Sequence, residues 1–290
     1  MARSIIMHIT YCEQGQALAD ICRKAVDWGF DGVEFRRKRI GVAETSEAYL
    51  DELEKGVRAS GLKQVLFGYP GPVLTKEDPA EREREVKEAI SFYRHVHGRF
   101  GVRTVNLLTG GLNNPDERVS YFEYTKHGSS IATESQWQWQ VKGCQALADG
   151  LKDLPIRFAF ETHMVYLHDT IDAVKKLVRL IDRPSIGMNL DYGNIVDFAE
   201  HPSLEDALES ARGMLYYIHL KNSAAVRGAP GRVATGLGDG EINNRQLLRT
   251  LKAMGYEGPI CIEGPRAGDR EWYAQQDIAY LKGVMRDLGM

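Results

Sequence analysis

The chain has 290 residues, 43% of them hydrophobic and 27% charged. That balance belongs to a folded globular chain able to bury a large core, and it excludes disordered, collagen-like and fibrous sequences. The formal charge is −3, so no global positive field exists to gather a nucleic-acid backbone or an anionic membrane surface.

In chain order, short β-rich runs alternate with longer amphipathic stretches. The runs are Ser4 to Ile9, Gly32 to Phe35, Lys63 to Phe67, Thr104 to Leu108, Arg157 to Glu161, Ser185 to Asp191, Leu215 to His219 and Pro259 to Glu263. Between them, Ala17 to Trp28, Ala80 to Phe100, Gln138 to Leu151, Ile171 to Ile181 and Arg245 to Met254 place apolar residues at helical spacing among charges. Gly29, Gly101, Pro155, Pro184 and Gly255 stand where these helices should stop, and Asn243 and Asn244 read as a helix cap. Eight βα-like units predict a single TIM-barrel domain over residues 1–290, an α/β fold of (β/α)8 type. An open doubly wound sheet also alternates strand and helix, but no glycine fingerprint follows the first strand. The stretch 109–135 has little periodicity and is expected to be a long loop insertion after the fourth strand, shaping the mouth as a lid, or else a surface or subunit contact.

Cys12, Cys22, Cys144 and Cys261 lie far apart without a C-x-x-C pair, so no zinc ribbon or redox motif is expected and a cytoplasmic setting is the default. The N-terminal apolar stretch is too short for a signal sequence, and no run of about 18 apolar residues occurs, which predicts a chain that is neither exported nor membrane-bound.

In such a barrel the C-terminal strand ends ring one mouth, where chemistry is built. The later strands read RFAFETH, IGMNLDYGN, LYYIHLKN and PICIEG, and each ends in a potential metal ligand: Glu161, Asp191, His219 and Glu263. Three carboxylates gathered in a partly buried mouth cost several kcal/mol unless a cation neutralises them. Their oxygen-rich set with one imidazole suits one divalent metal ion, Mn²⁺, Mg²⁺ or Co²⁺, with Zn²⁺ less natural because no thiolate takes part. Period-two geometry puts His163 beside Glu161, Asn189 beside Asp191 and Lys221 beside His219, as candidate substrate or supporting contacts. Glu34 at the end of strand two and Arg266 past Glu263 are candidates for hydroxyls or an anionic group. The run Arg36, Arg37, Lys38 and Arg39 is read as a solvated face, with anion attraction as the alternative. GLGDGE at 236–241 lacks the Lys-Ser/Thr of a phosphate loop and is expected to be the turn before the last helix.

The strings FETH, NLDYGN, YIHLKN and GLGDGEINNRQLLRTLKAMGYEGPICIEG, with DWGFDGVEF near the start, resemble the xylose isomerase-like barrel superfamily, in particular its sugar phosphate isomerase/epimerase and ketose 3-epimerase branches. The resemblance implies that Glu161, Asp191, His219 and Glu263 bind the metal and that Glu161 and Glu263 are the catalytic acid/base pair. It implies a small carbohydrate substrate and a homodimer or homotetramer. The ketose epimerases carry a His three residues after the Asp and an Arg soon after the His ligand. Here Asn194 stands at the first place and Ala225 at the second, with Arg227 nearby, so Asn194 and Arg227 join the substrate-binding candidates. The implied chemistry is isomerisation or epimerisation of an α-hydroxycarbonyl compound through an enediolate. The same intermediate also allows a lyase of inosose or dehydroshikimate dehydratase type, or a 3-oxo acid decarboxylase. A non-catalytic sugar-binding barrel is a further alternative. Apurinic endonucleases share the barrel but need further histidines, which Asn194 and the His-free stretch after His219 do not supply.

Overall fold

A computed structural model describes residues 3–12, 15–68, 71–227, 231–264 and 266–290. Eight parallel strands close into a barrel: β1 (Ile5–His8), β2 (Gly32–Phe35), β3 (Gln64–Gly68), β4 (Thr104–Leu107), β5 (Arg157–Glu161), β6 (Ile186–Asp191), β7 (Leu215–Leu220) and β10 (Ile260–Ile262). Their order around the barrel is β1-β10-β7-β6-β5-β4-β3-β2, so every strand has two partners and no barrel edge is left open. The expected strands agree with these to within one or two residues, and closure excludes the open doubly wound sheet. Two further strands, β8 (Ser223–Ala225) and β9 (Arg232–Ala234), pair antiparallel above β7.

The outer helices are α1 (Leu18–Trp28), α2 (Ser46–Ser60), α3 (Pro79–Phe100), α4 (Glu134–Gly150), α5 (Ile171–Ile181), α6 (Tyr192–Ile195), α7 (Leu204–Ser210), α8 (Asn244–Ala253) and α9 (Arg270–Leu288). Thr45, Asp78, Thr133, Thr170, Ser203, Asn243 and Asp269 each cap a helix start by accepting a backbone N–H. Helix α4 starts at Glu134, ahead of the expected Gln138, because Thr133 and Gln136 form a reciprocal capping box. Asn243 is the cap of α8 and Asn244 its first residue. Segment 236–241 leads into α8, which is not the last helix: α9 follows β10.

Side-chain alternation along the strands sorts the chain into two cores. Residues pointing outward, such as Phe158 and Phe160 on β5 and Ile218 and Leu220 on β7, pack under the helices in one large buried cluster. Ile6, Leu66, Ala159, Tyr217 and Cys261 form a small separate cluster inside the barrel. Two residues further along five of the strands, nearer the mouth, the same inward face carries His8, Gly68, Glu161, His219 and Glu263, so an apolar plug underlies a polar layer. Phe158 is 1% exposed and its ring meets Tyr93 edge-on at 5.0 Å. Phe158→Ala should therefore cost about 3–5 kcal/mol. Denaturant unfolding would check it, and a loss under about 1 kcal/mol would contradict the packing described.

Candidate metal centre at the barrel mouth

Glu161 ends β5, Asp191 ends β6, His219 lies on β7 and Glu263 follows β10 by one residue. Each offers a donor atom, and the four atoms lie within 4.8 Å of one another. His219 Nδ1 stands 2.8 Å from Glu263 Oε2 and 3.8 Å from both Glu161 Oε1 and Asp191 Oδ2. Its other nitrogen, Nε2, lies 3.0 Å from Glu34 Oε2. A carboxylate there requires a proton on Nε2, while Nδ1 donates a second proton to Glu263; a bound cation would take the place of that Nδ1 proton. Glu34 is thus the partner that fixes His219, rather than a residue reaching for hydroxyls. It also accepts from Tyr217 at 2.7 Å and Asn106 at 3.2 Å. A Cβ on Gly68 would come within 2.1 Å of Glu34 Oε1, so the absence of a side chain there makes room for this carboxylate.

Amide donors hold the first glutamate. Asn106 Nδ2 donates to Glu161 Oε2 at 2.7 Å, and Asn194 Nδ2 donates to Glu161 Oε1 at 3.1 Å. Asn189 donates to Asn106 Oδ1 at 3.0 Å, so it supports this network from full burial rather than reaching the substrate. Lys221 Nζ donates to Asn194 Oδ1 at 3.1 Å and sits 2.8 Å from Asp191 Oδ2 and 3.4 Å from Glu263 Oε2.

The charges are strongly interdependent. Burial alone would push the His219 imidazolium down, but the charges of Glu34 and Glu161 and the bonds to Glu263 and Glu34 hold it well above its ordinary range. Burial likewise opposes a charged Lys221, yet Asp191, Glu263 and Glu161 keep its pKa raised. Asp191 is pushed up to about 6 by burial, with Glu161 and Glu263 adding to the rise and Lys221 opposing it. Burial also works against an ionised Glu263, but His8, Lys221 and His219 bring it well below the usual carboxylate range. Four carboxylates face one ammonium and the imidazoles of His8 and His219, an acidic excess that a divalent ion would offset. Asp191 Oδ2 makes no directed hydrogen bond despite the nearby Lys221 ammonium, as suits an oxygen kept for a cation. The hard oxygens and single nitrogen fit Mg²⁺, Mn²⁺ or Co²⁺. A second grouping, Glu34, His219 and Cys261, shares His219. Burial, with Glu34 adding to it, pushes the Cys261 thiol up, so without a cation it stays neutral there.

Two cavities open beside the centre. One of about 350 Å³ is lined by His8, Glu34, Arg36, Asn106, Glu161, His163, Tyr166 and Glu263, among others. Another of about 260 Å³ is lined by Asn194, Asp197, Lys221 and Arg232, among others. His163, Asn194 and Lys221 therefore line the two cavities, although the β5 strand has ended before His163. Two candidates do not. Arg227 is exposed on the β8–β9 hairpin, and Arg232 on the returning strand lines the cavity instead. Arg266 is paired with buried Asp277 at 3.1 Å and stacked over Tyr273. Asp277 also accepts from Tyr11 at 2.8 Å and from the Leu237 N–H at 2.9 Å, so Arg266 joins a clamp that ties α9 to the 236–241 turn. The cationic run divides as well. Arg37 lies over the Phe92 ring, Arg39 binds Glu44 and Glu52, Lys38 is exposed, and Arg36 lines the larger cavity. His8 and Asn106 carry no signal of a site in the sequence, because each stands alone on a short apolar strand.

The insertion contains two single 3₁₀ turns, Tyr124–Lys126 and Gly128–Ser130, and is tied to the loop after β5. Leu112 N–H donates to Val165 at 2.6 Å, and Ser129 N–H donates to Asp169 Oδ2 at 3.0 Å. Burial pushes the Asp169 carboxyl up to about 6. Since the folded state binds this proton more tightly than the unfolded chain, stability from Asp169 is present below about pH 4 and falls as pH rises through about 6. Asp169→Asn should therefore stabilise the chain at pH 7 by on the order of 2 kcal/mol and change little at pH 4. Melting curves at both pH values would check this, and an equal effect at each would contradict it.

Fold and centre together define a (β/α)8 barrel with a carboxylate–imidazole cluster at the C-terminal mouth. The family model for the xylose isomerase-like TIM barrel matches residues 22–284, and the chain belongs to that family. Among curated proteins it is similar to an inosose dehydratase from Clostridium perfringens, 24% identical over 174 residues, covering 53% of this chain and 57% of the relative. The chain thus matches little more than half the length of that relative. Among solved structures it resembles a xylose isomerase-like TIM barrel protein from Mycobacterium smegmatis in complex with magnesium, with a TM-score of 0.78 at 18% identity over 99% and 98% of the two chains. It also resembles a D-psicose 3-epimerase from Clostridium cellulolyticum H10 with D-tagatose, with a TM-score of 0.74 at 17% identity over 97% and 99%. Among the described residues no helix is long and apolar enough to cross a membrane.

Proposed function

We propose that this chain is a divalent-metal-dependent isomerase or epimerase of a small sugar-derived α-hydroxycarbonyl compound, working as a single barrel domain. The observation that carries the reading is the convergence of Glu161, Asp191, His219 and Glu263 around one point beside a cavity of about 350 Å³. These four would hold the ion, whose chemistry when bound is to polarise a carbonyl and a neighbouring hydroxyl oxygen. Glu263 Oε1, 3.7 Å from His8 and in a side chain 17% exposed, is the oxygen with room to take the proton from the carbon next to the carbonyl. Glu161 stands on β5, three places from β10 in the barrel, and, protonated from solvent beforehand, delivers its own proton from another direction, after which Glu263 releases the abstracted proton to solvent. The amide donors of Glu161 keep its carboxyl group fixed between turnovers. Delivery to the same carbon gives the epimer, and delivery to its neighbour gives the isomer. His163, Asn194, Lys221 and Arg232 bind substrate hydroxyls from the two cavities. The D-psicose 3-epimerase likeness supports the fold side of this reading.

The lyase alternative draws on the inosose dehydratase similarity and on the Lys221 ammonium at the cavity wall, which could protonate a departing hydroxyl. Incubation with Mn²⁺ or Mg²⁺ and ketoses, keto-inositols and sugar acids in D₂O separates the readings. Deuterium at the carbon beside the carbonyl in an epimer or isomer is the expected result. A new double bond would assign the lyase, and binding without any exchange would assign a non-catalytic carbohydrate-binding barrel.

A further inference from the structure

We infer that the cavity of about 260 Å³ takes the end of the substrate remote from its carbonyl, and that this end is an uncharged polyol whose hydroxyls donate to the Asp197 carboxylate. The inference rests on the reading of the cluster as a carbonyl-activating site. Asp197 lies half-buried in the turn after α6, where its backbone N–H donates to the Asn194 carbonyl at 3.3 Å. Its side chain lines the cavity, and among the described residues none hydrogen-bonds to its carboxylate or forms an ion pair with it. The cavity's cations each face an acid of their own. Lys221, which joins this cavity to the centre, lies 2.8 Å from Asp191 and 3.4 Å from Glu263, and Arg232 lies 2.7 Å from Glu241. The amides are engaged as well: Asn194 Nδ2 donates to Glu161 and to the Thr162 carbonyl, and Asn222 Nδ2 to the carbonyls of Leu237 and Ile242. What remains is an acceptor without a donor, in a wall with no uncommitted cation. A carboxylate partly withdrawn from water requires donors, and hydroxyls supply them. A phosphate or carboxylate on the substrate would meet Asp197 as a like charge. An ammonium gains little there, because burial raises the Asp197 pKa while Lys221, Arg232 and His163 already offset its charge.

The test compares four probes on the Mn²⁺-supplemented full chain: a neutral ketohexose, its analogue lacking the hydroxyls of the two far carbons, the ketose phosphorylated at its far end, and the ketose carrying an amine there. Affinity is read by calorimetry and exchange by deuterium uptake. The ketohexose should bind roughly 10- to 100-fold tighter than the dideoxy analogue, and tighter than both charged probes. Asp197→Leu should erase the difference between the ketohexose and the dideoxy analogue, and Asp197→Asn, whose amide oxygen still accepts, should keep part of it. Neither change orphans a partner, so both variants should fold like the parent. Equal binding of the two neutral probes, a difference that survives Asp197→Leu, a charged probe that binds tightest, or no ketohexose binding at all would overturn the inference. An Asp197-dependent difference without exchange on any probe would sustain it while overturning the catalytic reading. Exchange with no dependence on Asp197 would overturn it and leave the catalytic reading standing.

Discussion

Glu263→Gln is expected to lower turnover by roughly 10²- to 10⁴-fold while the chain keeps its fold. Gln retains the shape of Glu and removes the basic oxygen that faces the cavity. Its side chain is partly exposed, and the amide oxygen still accepts from His219, so no buried group is orphaned. The matching change at Glu161 differs physically. Both Glu161 oxygens accept from amide N–H groups of Asn106 and Asn194. A Gln there sets its own NH₂ against one of these donors, at a cost of about 1–3 kcal/mol in addition to the loss of turnover. The pair of variants should therefore divide: both inactive, only Glu161→Gln melting lower. The check is steady-state rates with circular dichroism melts on the same preparations, and wild-type turnover in either variant would remove that glutamate from the acid/base pair.

The second large effect concerns the ion. Mn²⁺, Mg²⁺ or Co²⁺ should raise the melting temperature, and at a free concentration 100 times its dissociation constant the gain is about 2.7 kcal/mol. Asp191→Asn should abolish that response, because it removes one of three anionic donors and leaves an amide that binds such ions poorly. Without added metal the same variant should melt no lower than the parent by more than a small margin: it loses the Lys221 pair but relieves the crowding of carboxylates. Scanning calorimetry with and without chelator measures both arms. An undiminished metal response in Asp191→Asn would place the ion elsewhere.

His163 and Lys221 illustrate how far strand periodicity carries. Both lie two residues past a ligand and both face the mouth, though β5 ends before His163 and β7 before Lys221. Arg227 and Arg266, proposed on other grounds, sit in connections where no alternation applies: one is exposed on the hairpin and the other is paired with Asp277. Glu34 had the right place with another task, since the sequence cannot show that β2 and β7 bring it against His219 Nε2 inside the barrel. Helix α9 was legible from Ala274, Ile278, Leu281 and Met285 at helical spacing, and α2 from Tyr49, Leu50 and Leu53, but the expected elements passed over both.

By itself the sequence determined the local alternatives: which runs extend, which coil, and that Glu161, Asp191, His219 and Glu263 stand at strand ends. Those are properties of neighbours along the chain, set by periods of two and 3.6 residues. Only the tertiary structure decided which lone polar residues meet. Asn106 joins Glu161 to Glu34, Glu34 orients His219, Arg36 turns to the cavity while its neighbours do not, and Arg232 takes the place expected of Arg227. Barrel closure sets these meetings, because it brings together side chains from strands distant in sequence, and their pairing is governed by register and burial rather than by spacing along the chain.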